Sequence, residues 1–483
     1  MSKSILDSEP KRFWHHFNEI CKIPHESGNE SALCAYLKKY GEDLGCEAIS
    51  DSVGNLIIKK PAQNSNSTKT IVLQGHLDMV CEKVPGSNHD FAKDPIRPMI
   101  EGEWLTADGT SLGADDGVAI AASMAVMEDK DIKHGPLEFL FTVSEETGLD
   151  GAQGLDASLV EGRTMLNLDS EDDGVLFVGC AGGADSNVKI PFKRISLSDD
   201  LSVFELKISG LKGGHSGLVI HENRANAIKL IGGILSNLSQ HGKVLVSSMD
   251  GGTRHNVIPS VANVLFAVTK SNEGLVDKSV SELTQSLKDE FSSSDSGLTV
   301  ELSNAKANEF MDEDSSSKLI RYIDSSPYGV IKMSEDLENL VQTSTNLATV
   351  KFLESSVEFL HSSRSSSKAE LEEVRASIRR NVESVGGKIE EPGGYPGWQP
   401  DMKSELLAFT KDVYKKLYNV EPKVTAIHAG LECGIIGEKL GGMDMISFGP
   451  ELEDVHSPNE RVKIDTCERF YSLITNLLEE LAN

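Results

Sequence analysis

A chain of 483 residues is long enough to bury two or three cores. Its 39% hydrophobic and 25% charged content excludes collagen-like, coiled-coil and wholly disordered classes. With 47 basic side chains against 75 acidic ones, the formal charge of −28 repels nucleic-acid phosphates and anionic membranes, so neither is an expected partner.

The opening residues contain no apolar stretch of signal-peptide length, and no later segment reaches a membrane-spanning length, so a cytoplasmic protein is expected. An amphipathic helical pattern covers about 13–44. Short apolar runs follow at 70–74 (TIVLQ), 137–143 (LEFLFTV) and 164–168 (TMLNL), each ending in polar or acidic residues, with a helical pattern at 118–127. This alternation predicts an α/β domain with a mixed, largely parallel central sheet, in which ligands bind beyond the carboxyl ends of the strands. From about residue 189 the texture changes. Ser- and Lys-rich segments alternate with strands at 201–208 and 262–269 and helices at 223–238 and 367–382, which predicts an inserted α+β domain. The Gly- and Pro-rich stretch at 386–400 reads as a return linker, and a strand follows at 445–448. The expected organisation is therefore two-domain: a discontinuous α/β domain of residues 1–187 and 387–483, and an inserted α+β domain of residues 188–386. Seven cysteines without a CxxC pair read as packing thiols in a reducing compartment.

Five elements carry chemistry. In Gly75-His76-Leu77-Asp78, alternate residues of an extended chain point the same way, so Asp78 can accept one ring N–H of His76 while the other nitrogen binds a metal. Leu112–Gly117 (LGADDG) opens a helix with Asp115, a residue that read alone is an ordinary N-cap. Ser144-Glu145-Glu146 follows a buried strand, where adjacent carboxylates are costly without cations; one can ligate while the other stays free as a general base. Asp169 closes the next strand, and His456 lies in a late loop. Together His76, Asp115, Glu146, Asp169 and His456 supply enough N and O donors for two zinc-like ions sharing one carboxylate.

In this order (H-x-D, G-A-D-D-G, E-E-x-G, D, H) the chain resembles the co-catalytic zinc peptidase family that includes aminoacylase, succinyl-diaminopimelate desuccinylase, glutamate carboxypeptidase and carnosinase. The stretches GHLDMVCEK, LGADDGVAIA, TVSEETGLDGA, HAGLECG and DVHSPNERV extend the resemblance along nearly the whole chain and point to its dipeptidase members. The resemblance implies Asp115 as bridging ligand, His76 and Asp169 on one zinc, Glu146 and His456 on the other, Glu145 as general base on a bridging water, and Asp78 as orienter of His76. It makes the inserted domain a lid and dimer interface. In the lid, His215 of GGHSG would polarise the scissile carbonyl, in its own chain or across a dimer, and Asn256 and Arg364 would hold substrate, Arg364 by its carboxylate. Glu432 would meet the substrate ammonium, with a structural role equally open for it and for His428. The implied cofactors are two divalent metal ions per subunit, zinc with cobalt or manganese as alternatives; the implied substrates are dipeptides, Xaa-His among them, and the implied assembly is a homodimer. An N-acyl amidohydrolase of the same fold remains open, whereas a non-catalytic metal-binding protein is disfavoured because every ligand and the base are present.

Overall fold

In the computed structural model, which describes residues 4–196, 198 and 200–483, the apolar runs of the first part of the chain are strands of one eight-stranded sheet. Residues 1–3 of the stretch read for a leader lie outside the described residues. The strand order is Glu47–Ser50, Leu56–Lys60, Leu137–Thr142, Ile71–His76, Thr164–Asn167, Asp444–Ser447, Val175–Cys180, Lys423–Ile427. Ile71–His76 runs parallel to both neighbours, and Thr164–Asn167 runs parallel to Asp444–Ser447. The pairs at Glu47–Ser50, Leu56–Lys60 and Leu137–Thr142 are antiparallel. The sheet is thus mixed with a parallel centre, as the alternation predicts. Every residue of Ile71–His76, Leu137–Thr142 and Thr164–Asn167 is buried, the pattern of strands covered on both faces. The Ala-rich helix Ala114–Glu128 is buried from Gly117 to Met127, as a helix apolar all round should be. The expected amphipathic opening is two helices, Lys11–Ile20 and Ser31–Asp43.

Two compact units emerge: Met1–Cys180 with Trp398–Ile427 and Leu431–Asn483, and Ala181–Gly397 with His428–Gly430. These joints lie outside the expected ones at 187/188 and 386/387. Strand Val175–Cys180 is separated from strand Gly182–Pro191 by Ala181 alone, so no loop composition marks the first joint. The expected return linker begins as the edge strand Lys388–Glu390 of the second unit, paired with Gly182–Pro191.

The second unit is built on a nine-stranded sheet whose pairings are antiparallel throughout. Helices Ala227–Ser239, Glu273–Glu290, Glu313–Ser325 and Lys368–Ser384 contribute Ile228, Ile231, Val276, Leu319, Tyr322 and Ile378 to one core with Phe204, Leu206, Phe266 and Phe359 of the strands. Alternating burial seats Val188 and Ile190 of Gly182–Pro191 and Phe204, Leu206 and Ile208 of Leu201–Ser209 in that core.

Candidate active site

Three neighbouring parallel strands end at one edge of the first unit's sheet and deliver its donors there. His76 is the last residue of Ile71–His76. Glu145 and Glu146 follow Leu137–Thr142 through a turn in which Ser144 has φ 51°, and Asp169 follows Thr164–Asn167. Asp115 sits at the start of the helix Ala114–Glu128 with non-helical angles (φ −84°, ψ 106°). His456, with φ 59°, lies in the loop between Leu452–Glu453 and Arg461–Lys463. Non-glycine residues at positive φ each cost about 1–3 kcal/mol and gather at functional sites. Gly75 permits a close approach beside His76: a Cβ there would lie 2.4 Å from Asp116 Oδ2 and 2.8 Å from Ala119 Cβ.

The side chains converge on Asp115. Its Oδ1 lies 3.0 Å from His76 Nε2 and its Oδ2 lies 3.0 Å from His456 Nε2. Asp169 Oδ1 is 3.3 Å from the same His76 nitrogen, and Glu146 Oε1 is 2.9 Å from that of His456. His76 Nδ1–H donates to the main-chain carbonyl of Asp78 at 2.9 Å, which leaves Nε2 facing two carboxylates. That nitrogen needs a positive charge between it and the acids, either a proton or a cation. Two such positions, one on each side of a single carboxylate, fit two divalent ions of the kind that accept imidazole and carboxylate ligands. Donor atoms of Asp115, Glu146 and His456 lie within 4.8 Å of one another, as do those of His76, Glu145 and Glu146 and those of His76, Asp116 and Asp169. Asp116 Oδ2 is already bonded to the His76 N–H at 3.1 Å, so Asp115 is the acid with both oxygens turned to imidazoles.

Charge follows this geometry. Burial would lower His76, but the Asp169 charge and its bonds to Asp115, Asp169 and Asp78 carry it well above the ordinary imidazole value. Hydrogen bonds to Asp115 and then Glu146 raise His456 to about 11 against burial. Asp115 is opposed by burial yet held well below the carboxylate range by His456 and His76. Burial raises Glu145 well above its usual value; the charge of His76 opposes this, and Asp169, Glu432 and Glu146 add to it.

Asp78 and Glu432 each tie the centre into a wider hydrogen-bond network. Asp78, two residues past His76, keeps its Oδ1 3.5 Å from His76 Nδ1, and although burial opposes its charge, the His76 bond and charge hold Asp78 down at about 2. Its carboxylate also accepts the N–H groups of Glu145 (3.0 Å) and Glu146 (3.2 Å) and the Ser27 hydroxyl (2.8 Å), clamping the turn that carries both glutamates, and its carbonyl accepts the ring N–H. Of the two roles open to Glu432, substrate ammonium and structure, its surroundings favour the structural one: it has no exposed surface. Its Oε2 accepts Gln74 Nε2 and the Thr142 hydroxyl, both at 2.6 Å, and Gln74 Oε1 accepts Asn167 Nδ2 at 2.5 Å. Gln74 stands two residues before His76 on the same face of its strand, and Asn167 ends the strand that leads to Asp169, so this network adjoins both donors. Burial raises Glu432 to about 7.

His215, Asn256, Arg364 and His428 fall in the second unit. His215 Nδ1 accepts the Leu218 N–H at 3.2 Å, which places its proton on Nε2 as a donor; burial, then the Arg364 and His255 charges, lower it to about 4 and keep it neutral. The Asn256 carbonyl accepts the Ser216 N–H at 2.8 Å, tying its segment to the His215 loop. Arg364 is buried in Ser356–Ser365, with Nη1 donating to the Tyr395 hydroxyl at 2.9 Å and Nε lacking a partner among the described residues. His428 Nε2 is 2.7 Å from the Ser344 hydroxyl, and burial lowers it to about 3. All seven cysteines are free, and burial raises Cys81 to about 12 and Cys180 to about 11, which leaves them unsuited as nucleophiles at neutral pH. Sequence reasoning missed Asp116, Gln74 and Glu460, whose bonds run mainly to backbone N–H groups or buried amides, where no spacing rule points.

A carboxylate-rich centre of paired imidazoles at the carboxyl edge of a mixed α/β sheet defines a metal-dependent hydrolase. The sequence matches peptidase family M20/M25/M40 over residues 72–480, and the chain belongs to that family. It is 37% identical over 474 residues to the cytosol non-specific dipeptidase of Escherichia coli (strain K12), covering 98% of each chain. Among solved structures, the aminoacylhistidine dipeptidase of Vibrio alginolyticus superposes with a TM-score of 0.94 at 38% identity, over 99% of this chain and 98% of the other. An aminopeptidase of Bacillus cereus shares the fold at a TM-score of 0.60 and 19% identity, over 99% and 100% of the two chains. The protein is thus an enzyme that hydrolyses peptide bonds.

Proposed function

We propose that this peptidase cleaves dipeptides, Xaa-His among them, with two divalent ions, zinc in the first instance and cobalt or manganese as alternatives. His76 and Asp169 would hold one ion, Glu146 and His456 the other, and Asp115 would serve both. The observation that carries this reading is that the two oxygens of Asp115 each face a different imidazole Nε2 at 3.0 Å. When bound, the ions supply Lewis acidity, which acidifies water and polarises the scissile carbonyl.

Glu145 takes the proton of the attacking water as its oxygen bonds to the carbonyl carbon. It then returns that proton to the nitrogen as the C–N bond breaks. Glu145, next in sequence to the ligand Glu146, is placed for both halves of that exchange. Asp78 fixes the position of the base by holding its main-chain N–H. His215, a neutral imidazole with its proton on Nε2, supplies a hydrogen bond to the developing oxyanion from its own chain or from a dimer partner. The partnerless Nε of Arg364 makes its guanidinium the group for the substrate carboxylate, with Asn256 beside the His215 loop completing substrate contacts. A cytoplasmic homodimer associating through the second unit completes the reading; the Escherichia coli relative is named a cytosol enzyme.

Purified protein assayed on Xaa-His dipeptides and on their N-acetylated forms, with bound metal counted, tests the proposal. Two ions per chain and turnover of the free dipeptides alone are expected. Cleavage of the N-acetylated forms at equal rate would replace the dipeptidase with an amidohydrolase.

A further inference from the structure

Glu460 is only 2% exposed, yet among the described residues it has no Lys, Arg or His within ion-pair distance. Its carboxylate instead accepts four consecutive main-chain N–H groups. Oε2 takes Leu112 at 2.8 Å and Gly113 at 3.0 Å; Oε1 takes Ala114 at 2.7 Å and Asp115 at 3.2 Å. These N–H groups open the helix Ala114–Glu128 and have no acceptor within it. Gly113 at φ 69° and Asp115 at ψ 106° give this turn a path that helical bonding does not hold.

Glu460 stands on the same loop as His456, four residues further on. One segment therefore brings both an imidazole to the Asp115 side chain and a pair of acceptor oxygens to the backbone ahead of it. The geometry points to Glu460 as a positioning residue of the peptidase centre. By fixing the backbone of residues 112–115 it sets the direction in which the Asp115 carboxylate presents its two oxygens, and through that the affinity for the shared pair of ions. This rests on the reading of Asp115 as the shared ligand. A carboxylate is required because a carboxamide offers a single acceptor oxygen and would turn an NH₂ toward two of the four N–H groups.

The test compares wild type, Glu460→Gln and Glu460→Asp with a control, Glu138→Gln. Glu138 is likewise 2% exposed and clamps backbone N–H groups, those of Glu161 and Gly162, but bonds no donor of the centre. Each protein is titrated with zinc against a chelator, its bound zinc counted, its melting recorded, and kcat and KM measured on a dipeptide. Glu460→Gln is expected to lose about 10- to 100-fold in apparent zinc affinity, the usual effect of removing a group that orients a ligand. Its kcat should fall at limiting zinc and recover in excess zinc, with KM unchanged. Glu138→Gln should melt lower and hold zinc as wild type does. A folded Glu460→Gln with wild-type zinc affinity overturns the assignment, as does equal zinc loss in Glu138→Gln. Should Glu460→Gln not fold, Glu460→Asp, whose shorter carboxylate reaches fewer of the N–H groups, is held to the same two outcomes. A wild-type protein holding fewer than two ions sinks the two-ion reading and this role with it; two ions in both wild type and variant, at equal affinity, sink the role of Glu460 alone.

Discussion

Gly75→Ala places a methyl group where the space is measured. The new Cβ would stand 2.4 Å from Asp116 Oδ2 and 2.8 Å from Ala119 Cβ, both on the buried helix Ala114–Glu128. Neither neighbour is the far end of a long flexible side chain, so the helix and strand must part. Overpacking of this kind costs about 1–3 kcal/mol. Displacing Asp116 Oδ2 also weakens its bond from the His76 N–H, worth about 0.5–1.5 kcal/mol more. The sum, about 1.5–4.5 kcal/mol, should lower the first unit's melting temperature by roughly 3–18 °C, at 2–4 °C per kcal/mol for a unit of this size. Differential scanning calorimetry of the chelator-treated protein isolates this packing effect from metal binding. The same strain moves His76, so zinc affinity should fall as well. A variant that melts within about 1 °C of wild type would show that the strand and helix tolerate a side chain here, and the close approach would lose its place in the account.

Glu145→Gln keeps the main-chain bond to Asp78 and the bound metal but removes the proton acceptor; kcat should drop about 10²- to 10⁴-fold, and near-normal turnover would displace Glu145 as base. Asp115→Asn withdraws the charge shared by two imidazoles, so bound metal measured after dialysis should fall at both positions together; loss of one ion alone would contradict sharing. In the second unit, His361 is fully buried against the Tyr322 hydroxyl at 2.8 Å, and burial, then the Lys229 charge, lower it to about 3. Because the folded value lies below the unfolded value of about 6.5, the unfolded chain binds the extra proton between the two. The contribution of His361 is therefore complete above pH 6.5 and is lost by up to about 1.4 kcal/mol per pH unit below it. Urea midpoints at pH 7.5 and 5 should diverge less in His361→Asn than in wild type, and an equal divergence would refute the assignment.

The donors were legible because chemistry and punctuation coincide: His76, Glu145, Glu146 and Asp169 each stand at or just beyond the end of an apolar run that forms a strand. Three neighbouring parallel strands then turn a linear order into one edge. What stayed hidden follows from the same physics. Asp78 and Glu460 act on backbone N–H groups, which every residue but proline carries, so no spacing of side-chain types marks the partner. For Glu432 the sequence leaves substrate binding and a structural role open, and its burial with bonds from Gln74 and Thr142 favours the second. The joint at Cys180–Ala181 escaped because two strands of different sheets meet there with a single residue between them.

The place of Asp444–Ser447 in the first sheet bears on how the chain is made. It lies between Thr164–Asn167 and Val175–Cys180, strands synthesised more than 250 residues earlier. A nascent chain emerging from the ribosome must therefore keep that slot open, with apolar strand edges unpaired, until the segment bearing His456 and Glu460 arrives. Such edges are prone to aggregation, and pairings of long sequence separation form slowly. Translation arrested before residue 444 would leave a product lacking a middle strand, one imidazole and the clamp on Asp115 together, so premature termination yields an inert polypeptide and not a partly loaded enzyme.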